Sequence, residues 1–289
     1  MLDLYGNLVA NTNHYKQLRC ADCLVSIYNC PLENKNQDIW SQHNYFVYVM
    51  KGRKIWHTTH GSYNLSEGSC VLVRKGACIV EQFFDDTFCL VIFFVTDEFI
   101  CEVLQTKTSP VKAAPRRYQS VIAVETNAVL RTFFESMMPF FEANPTPDRS
   151  LINLKFRELI LTVADNPANE EMLCYFCSLL NTPRSVSLQE VMEDNFCFNL
   201  KLEEFAKLSS RSLSAFKRDF IKIYKSPPGK WLLEKRLNHA LHLITNRNKT
   251  IGETVFESGF ESPSHFSRVF RDRFGRSPAS LKTSETFEV

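Results

Sequence analysis

Two kinds of hydrophobic spacing divide the chain. Between residues 45 and 94 the apolar positions alternate or run in short β-branched stretches: Tyr45-Phe-Val-Tyr-Val-Met50, Lys54-Ile-Trp-His-Thr58, Tyr63-Asn-Leu65, Cys70-Val-Leu-Val73, Cys78-Ile-Val-Glu-Gln-Phe83 and Phe88-Cys-Leu-Val-Ile-Phe-Phe94. Turn signals at Lys51-Gly52, His60-Gly61, Glu67-Gly68 and Lys75-Gly76 separate them. Many short strands at this spacing predict an all-β sandwich or barrel. From residue 121 the spacing becomes helical in three stretches, 121–143, 151–165 and 170–180, broken at Asn144-Pro-Thr-Pro147 and Asn166-Pro167. The middle stretch carries Leu151, Leu154, Phe156, Leu159, Ile160 and Val163, enough apolar surface to pack on the sheet and on a partner helix.

The last hundred residues contain a repeat. Phe216-x-Arg218-x-Phe220-x3-Tyr224-x3-Pro228 returns fifty residues later as Phe266-x-Arg268-x-Phe270-x3-Phe274-x3-Pro278. Aromatics at i, i+4 and i+8 form one helical stripe, so each copy is read as an amphipathic helix with its aromatic face buried. Ser212 caps the first, and Ser262 with Pro263 opens the second. A shorter helix precedes each: Leu202-Glu-Glu-Phe-Ala206 after Asn199 as cap, and Ile251-Gly-Glu-Thr-Val255 after Thr250, whose Glu253 completes a capping box. Helix, tight turn and second helix with a polar outer face is the helix-turn-helix arrangement, whose second helix fits a DNA major groove. The helical stretch 230–244, about 22 Å long, joins the two units.

These residues resemble the AraC/XylS family of bacterial transcription regulators over roughly residues 186–282. The most specific match is Gly259-Phe-Glu-Ser-Pro-Ser-His-Phe-Ser-Arg-Val-Phe-Arg-Asp-Arg-Phe-Gly-Arg-Ser-Pro278. Thr254, Val255 and Lys225 depart from the family's usual aliphatic residue, alanine and glycine. The stretch Leu65-Ser-Glu-Gly-Ser-Cys-Val-Leu-Val-Arg-Lys-Gly76 resembles, less specifically, the cupin-like effector domain found before such DNA-binding domains. The resemblance implies an α+β fold class: an N-terminal cupin-like β-barrel with a helical connector, then a C-terminal all-α domain with two helix-turn-helix units joined by a linker helix. The expected division is 1–115, 116–183 and 184–289.

Charge follows this division. Residues 184–289 hold 18 Lys and Arg against 13 Asp and Glu, a net +5, while residues 1–183 hold 16 against 19, a net −3. A basic segment joined to a slightly acidic one fits a nucleic-acid-binding module attached to a regulatory one. The whole chain has 289 residues, 44% hydrophobic and 23% charged, which excludes wholesale disorder. No apolar run approaches the ~20 residues of a membrane span. The first residues, Met-Leu-Asp-Leu-Tyr-Gly-Asn, lack a secretory pattern, so a cytoplasmic protein is expected.

The expected DNA contacts are Arg211, on the outer face of the first reading helix, and, mapped by motif, Ser214, Lys217 and Arg218 in the first unit and Ser264, His265, Ser267 and Arg268 in the second. Arg and Lys suit guanine O6 and N7, and Ser serves several base edges. Arg218 and Arg268 occupy the same place in both repeats, which also fits an ion pair to a neighbouring helix. Lys222 and Arg271 read as solvated face, and Arg271 and Arg273 as phosphate contacts. The implied partner is double-stranded promoter or operator DNA. Control through the front domain by a small molecule or a regulatory protein, activation, and a homodimer through residues 121–181 are expectations from the resemblance. The effector site is not assigned.

A rival reading is a metal-dependent cupin enzyme. His43, His57, His60 and Glu67 are its candidate ligands, yet such a site needs two histidines one residue apart on one strand face, and His57 and His60 are three apart. The CxxC pairs Cys20/Cys23 and Cys174/Cys177 lie about 150 residues apart, against ~15–20 in zinc ribbons, and read as core filling. No catalytic set, metal or cofactor is expected. A ligand-sensing protein with a vestigial DNA-binding domain is the other alternative.

Overall fold

The computed structural model describes residues 1–28, 34–83, 88–112, 118–181, 187–246 and 249–284. It divides into two compact units, Met1–Ser185 and Val186–Val289. The class is α+β, with sheet in the first unit and helices alone among the described residues of the second.

The first unit opens with β1 (Leu2–Asp3), α1 (Leu4–Ala10), β2 (Gln17–Cys20), β3 (Cys23–Tyr28) and β4 (Asn36–Ser41). The strands foreseen from the alternation follow as β5 (Asn44–Lys51), β6 (Arg53–Thr58), β7 (Gly61–Ser66), β8 (Cys70–Val73), β9 (Gly76–Gln82) and β10 (Cys89–Val95). After α2 (Asp97–Gln105) come β11 (Val121–Val124), α3 (Ala128–Ser136), α4 (Met138–Glu142), α5 (Arg149–Asp165) and α6 (Glu170–Asn181).

The expected barrel is flattened into two sheets. One has the order β1-β4-β9-β6-β7 and the other β11-β8-β5-β10-β3-β2. Their facing sides hold one core, including Tyr45, Val47, Val49, Trp56, Val80, Leu90, Ile92 and Phe94. The opposite side of the six-stranded sheet presents Phe46, Tyr48, Val91, Phe93 and Val95 to a second core, filled by residues of α2, α3, α5 and α6. Burial on both sides explains why β10 reads as an unbroken apolar run rather than an alternation. Phe133, Phe134 and Phe156 pack around Phe93, with ring centroids 5.1–5.9 Å away.

The helical reading of residues 121–143 needs correction at its start. Val121-Ile-Ala-Val124 is a strand, antiparallel to β8 with Val121 opposite Val73 and Val124 opposite Cys70. Val121 faces the inter-sheet core while Ile122 and Val124 face the helices, so β-branched residues fill both sides at a sheet edge. Helix starts only at Ala128, capped by Asn127, which accepts from Leu130 N at 2.9 Å.

In α5, Ile152, Phe156, Leu159, Ile160 and Val163 are buried against the sheet. Leu151 and Leu154 stay on the surface, 44% and 59% exposed. Cys20 and Cys23 face each other across the β2–β3 turn and are buried. Asn153 Nδ2 donates to Cys20 Sγ at 3.2 Å, and burial pushes the Cys23 thiol up to about 12. Cys174 is also buried, and Cys177 Sγ donates to Val111 O at 3.5 Å. These sulfurs act as small apolar fillers.

Candidate nucleic-acid interface

The second unit is built from α7 (Leu188–Asn195), α8 (Leu202–Leu208), α9 (Leu213–Tyr224), α10 (Pro228–Asn246), α11 (Ile251–Glu257), α12 (Pro263–Phe274) and α13 (Pro278–Ser284). In α9 the buried stripe runs Phe216, Phe220, Tyr224 with ring spacings of 5.7 and 4.5 Å. Trp231 of α10 closes on Tyr224 at 4.7 Å. In α12 the stripe is Phe266, Phe270, Phe274 with spacings of 5.3 and 4.6 Å. Leu237, Ala240 and Ile244 of α10 pack beneath it. Burying this stripe on each helix leaves the opposite arc of polar residues outward.

The starts of the reading helices are capped as the sequence indicates. Ser212 accepts from Ala215 N and Ser262 from His265 N, both at 3.3 Å, with Pro263 in the first turn of α12. Thr250 and Glu253 form the capping box of α11. The start of α8 differs from expectation. Its cap is Lys201, whose backbone N–H donates to Glu204 Oε2 at 2.6 Å, while Asn199 donates its side-chain N–H to Glu261.

The two units also differ in the length of their turns. Arg211 N bonds to Ala206 O in the first turn as Phe260 N bonds to Val255 O in the second, a separation of 49 residues. Ser212 and Ser262 are 50 apart. The leading helices and their caps, Lys201 and Thr250, are 49 apart, so the second turn contains one more residue, Glu261. The matching turn positions Ser210 and Gly259 both have positive φ, 55° and 75°.

Ser214, Lys217 and Arg218 are exposed on α9 and fall within about 100° of arc at 100° per residue. On α12 Ser264 and Arg268 are exposed and Ser267 is half-buried on the matching arc. His265 is exposed at its edge, its ring 6.2 Å from that of Phe260.

Arg211 stands apart from these. Its Nη1 donates to Ser209 O at 2.7 Å and its Nε to Asp219 Oδ2 at 3.3 Å, which ties the guanidinium into the turn. Arg218 reaches Asp219 Oδ1 at 3.2 Å, a partner on its own helix rather than a neighbouring one. Desolvation opposes ionisation of Asp219, but the hydrogen bonds from Arg211 and Arg218 outweigh it and hold the carboxyl below its usual range. The sequence reading did not single out Ile221, which is 49% exposed in the middle of the α9 arc, where α12 has the exposed Arg271. An apolar side chain among Lys and Arg gives no motif signal, but it can meet a thymine methyl.

Comparison with known proteins agrees with this architecture. Residues 44–175 match the ExsA N-terminal regulatory domain, and residues 205–284 match a helix-turn-helix domain. The virulence regulon transcriptional activator VirF of Yersinia enterocolitica is 25% identical over 240 residues, 82% of this chain and 88% of VirF. The thermoregulatory protein LcrF of Yersinia pestis is 25% identical over the same length. The HTH-type transcriptional regulator ExsA of Pseudomonas aeruginosa is 26% identical over 238 residues, 81% of this chain and 84% of ExsA.

The chain belongs to the AraC/XylS family. It is a DNA-binding transcription regulator. Its departures from the AraC/XylS pattern are accommodated locally. Thr254 is fully buried, and its hydroxyl donates to Thr250 O at 2.9 Å, the back-bond that lets a polar side chain lie inside a helix packing face. Val255 fills the core beside Phe260, Phe266 and Phe270. Lys225 adopts φ 53° and ψ 25° at the end of α9, a left-handed conformation that glycine would take without strain.

The rival enzyme residues are dispersed in the first unit. His57 lies 2.7 Å from Ser62 Oγ and 3.0 Å from Glu81 Oε2 on an outer sheet face, where Lys35 also reaches Glu81 at 3.0 Å. His43 stacks edgewise on Tyr5 with ring centroids 4.4 Å apart. Among the described residues, no three His, Cys, Asp or Glu side chains are grouped to hold a metal ion, and no helix is long and apolar enough to cross a membrane.

Proposed function

We propose that the chain is a sequence-specific transcription activator that reads double-stranded promoter DNA with α9 and α12. Control would come through the first unit, from a small molecule or a regulatory protein. The observation that carries this reading is the pair of similarly built helices, each with its aromatic stripe buried and a polar arc outward. Activation is supported by the activator VirF, which aligns with most of this chain.

The base-contacting residues in this reading are Ser214, Lys217, Arg218, Ser264, His265, Ser267 and Arg268. Lys217, Arg218 and Arg268 suit guanine O6 and N7, and the serines serve as donors or acceptors at several edges. Arg211 is assigned to holding the first turn and aligning Asp219 with Arg218, because its guanidinium already bonds Ser209 and Asp219. A homodimer through residues 121–181 is supported by the exposed Val129, Leu151 and Leu154 on α3 and α5. Selection from a random DNA pool with the full chain, at a stated salt concentration, tests the reading. Two enriched patches about ten base pairs apart are expected. Absence of any preference, in the full chain and in residues 184–289 alike, refutes it.

A further inference from the structure

Three contacts converge on residues 196–199, between α7 and α8, and all come from the second half of the unit. From α10, Arg236 donates through Nε to Phe196 O and through Nη2 to Phe198 O, both at 2.7 Å. From the second turn, Gly259 comes so close that a Cβ built on it would lie 2.3 Å from Cys197 O and 3.3 Å from Arg236 Nε. From the same turn, the added residue Glu261 accepts a hydrogen bond from Asn199. Phe196, Cys197 and Phe198 are themselves buried. Lys235 adds an anchor one residue away, with Nζ 2.6 Å from Glu193 of α7.

These contacts lie between the two helix-turn-helix units, not within either. A long helix such as α10 can curve along its length, so on its own it leaves some freedom in the angle between the units at its two ends. A charged fork bonded to two carbonyls is a strong and directional attachment. Backbone seated on backbone without a Cβ leaves no side chain to rearrange. Attachment at Arg236, Gly259 and Asn199–Glu261 therefore resists both bending of α10 and sliding of the second turn.

We propose that Arg236, Gly259 and the Asn199–Glu261 pair act as positioning residues that fix the distance and twist between α9 and α12, and so set the operator spacing the protein accepts. The proposal rests on the reading of those two helices as base-reading helices. One added base pair moves a recognition patch by about 3.4 Å and turns it by about 35°. A rigid two-headed reader loses the contacts of one helix under that change, whereas a jointed one follows the groove.

The experiment uses the full chain, the operator recovered by selection, and derivatives with one base pair inserted or removed between its two patches. The wild type is expected to lose about tenfold or more in affinity on either change. Arg236→Lys and Asn199→Ser are expected to bind the unaltered operator within about threefold of wild type, with the spacing loss reduced to about threefold. A role in stability alone lowers binding to all three DNAs in proportion and leaves the ratio as in wild type; that result overturns the proposal. Indifference of the wild type to spacing overturns it as well. If Arg236→Lys does not fold, the ratio for Asn199→Ser decides. Failure of the underlying reading is distinguishable, because then no sequence preference exists at any spacing.

Discussion

Gly259→Ala and Gly275→Ala form a matched pair that isolates the close approach in the second turn. Both glycines have left-handed backbones, φ 75° and 71°. Adding a Cβ in that region costs about 1–2 kcal/mol, partly offset by the ~0.4–1 kcal/mol that a stiffer unfolded chain returns. Gly275 meets nothing within 4 Å, so Gly275→Ala should show only this net loss of about 1 kcal/mol or less. Gly259 would place its new atom 2.3 Å from Cys197 O and 2.7 Å from Cys197 C, main-chain atoms that no rotamer change can move. Overpacking of this kind adds about 1–3 kcal/mol, for a total of about 1–4. The two should be compared in the full chain by thermal unfolding and by hydrogen exchange of peptides from residue 187 onward. The drop in midpoint temperature should be about 4–8 °C per kcal/mol for a unit of this size. Equal losses in the two variants would refute the claim that the second turn is seated on the α7–α8 link.

Other outcomes follow from the same geometry. Lys225→Gly should stabilise the second unit by about 0.5–1 kcal/mol, since it relieves a left-handed lysine while the hydrogen bond from residue 225 N to Ile221 O is kept; thermal unfolding measures it. Lys217→Ala and His265→Ala should each weaken binding at the selected site by about 1–3 kcal/mol without changing stability, and an unchanged sequence preference would remove those residues from the reading face. Glu81 is held below its ordinary carboxylate value of 4.5 by hydrogen bonds from Lys35 and His57, against desolvation. A depressed carboxyl contributes stability above 4.5 and loses it as pH falls through its folded value, so Glu81→Gln should flatten the acid limb of first-unit stability. Leu154→Glu, on a 59% exposed position, should leave folding intact and shift sedimentation toward monomer if α5 carries the dimer.

Much of the molecule was legible because period and chemistry agreed. The aromatic stripe at i, i+4 and i+8 with serine caps marks α9 and α12 without any tertiary knowledge, and the turn glycines likewise mark the strand boundaries from β5 to β9. What failed to show was set by contacts distant in sequence. β11 resembles a helix in sequence because its four residues are all apolar and carry no polar alternation, and only its pairing with β8 settles the matter. β4 shows no clear period, since Asn36-Gln-Asp-Ile-Trp-Ser41 is a mostly polar strand whose place is set by pairing with β9.

The same distinction separates the two kinds of residue at the DNA-binding unit. A reading residue acts by exposing a particular side chain on a known helix face, so its type and its distance from the buried stripe suffice to nominate it, as for Lys217 and Arg268. A positioning residue acts through what it touches. Nothing in Lys235-Arg-Leu237 tells a solvated arginine from one whose fork closes on the carbonyls of Phe196 and Phe198 forty and thirty-eight residues earlier. The repeat does show a second turn one residue longer, with leading helices 49 apart and reading helices 50 apart, but not what the added residue touches. That extra residue is Glu261, the one that meets Asn199. The departure from exact repetition thus falls where the two units touch, which is expected if the repeat carries recognition and the irregularity carries their relative placement.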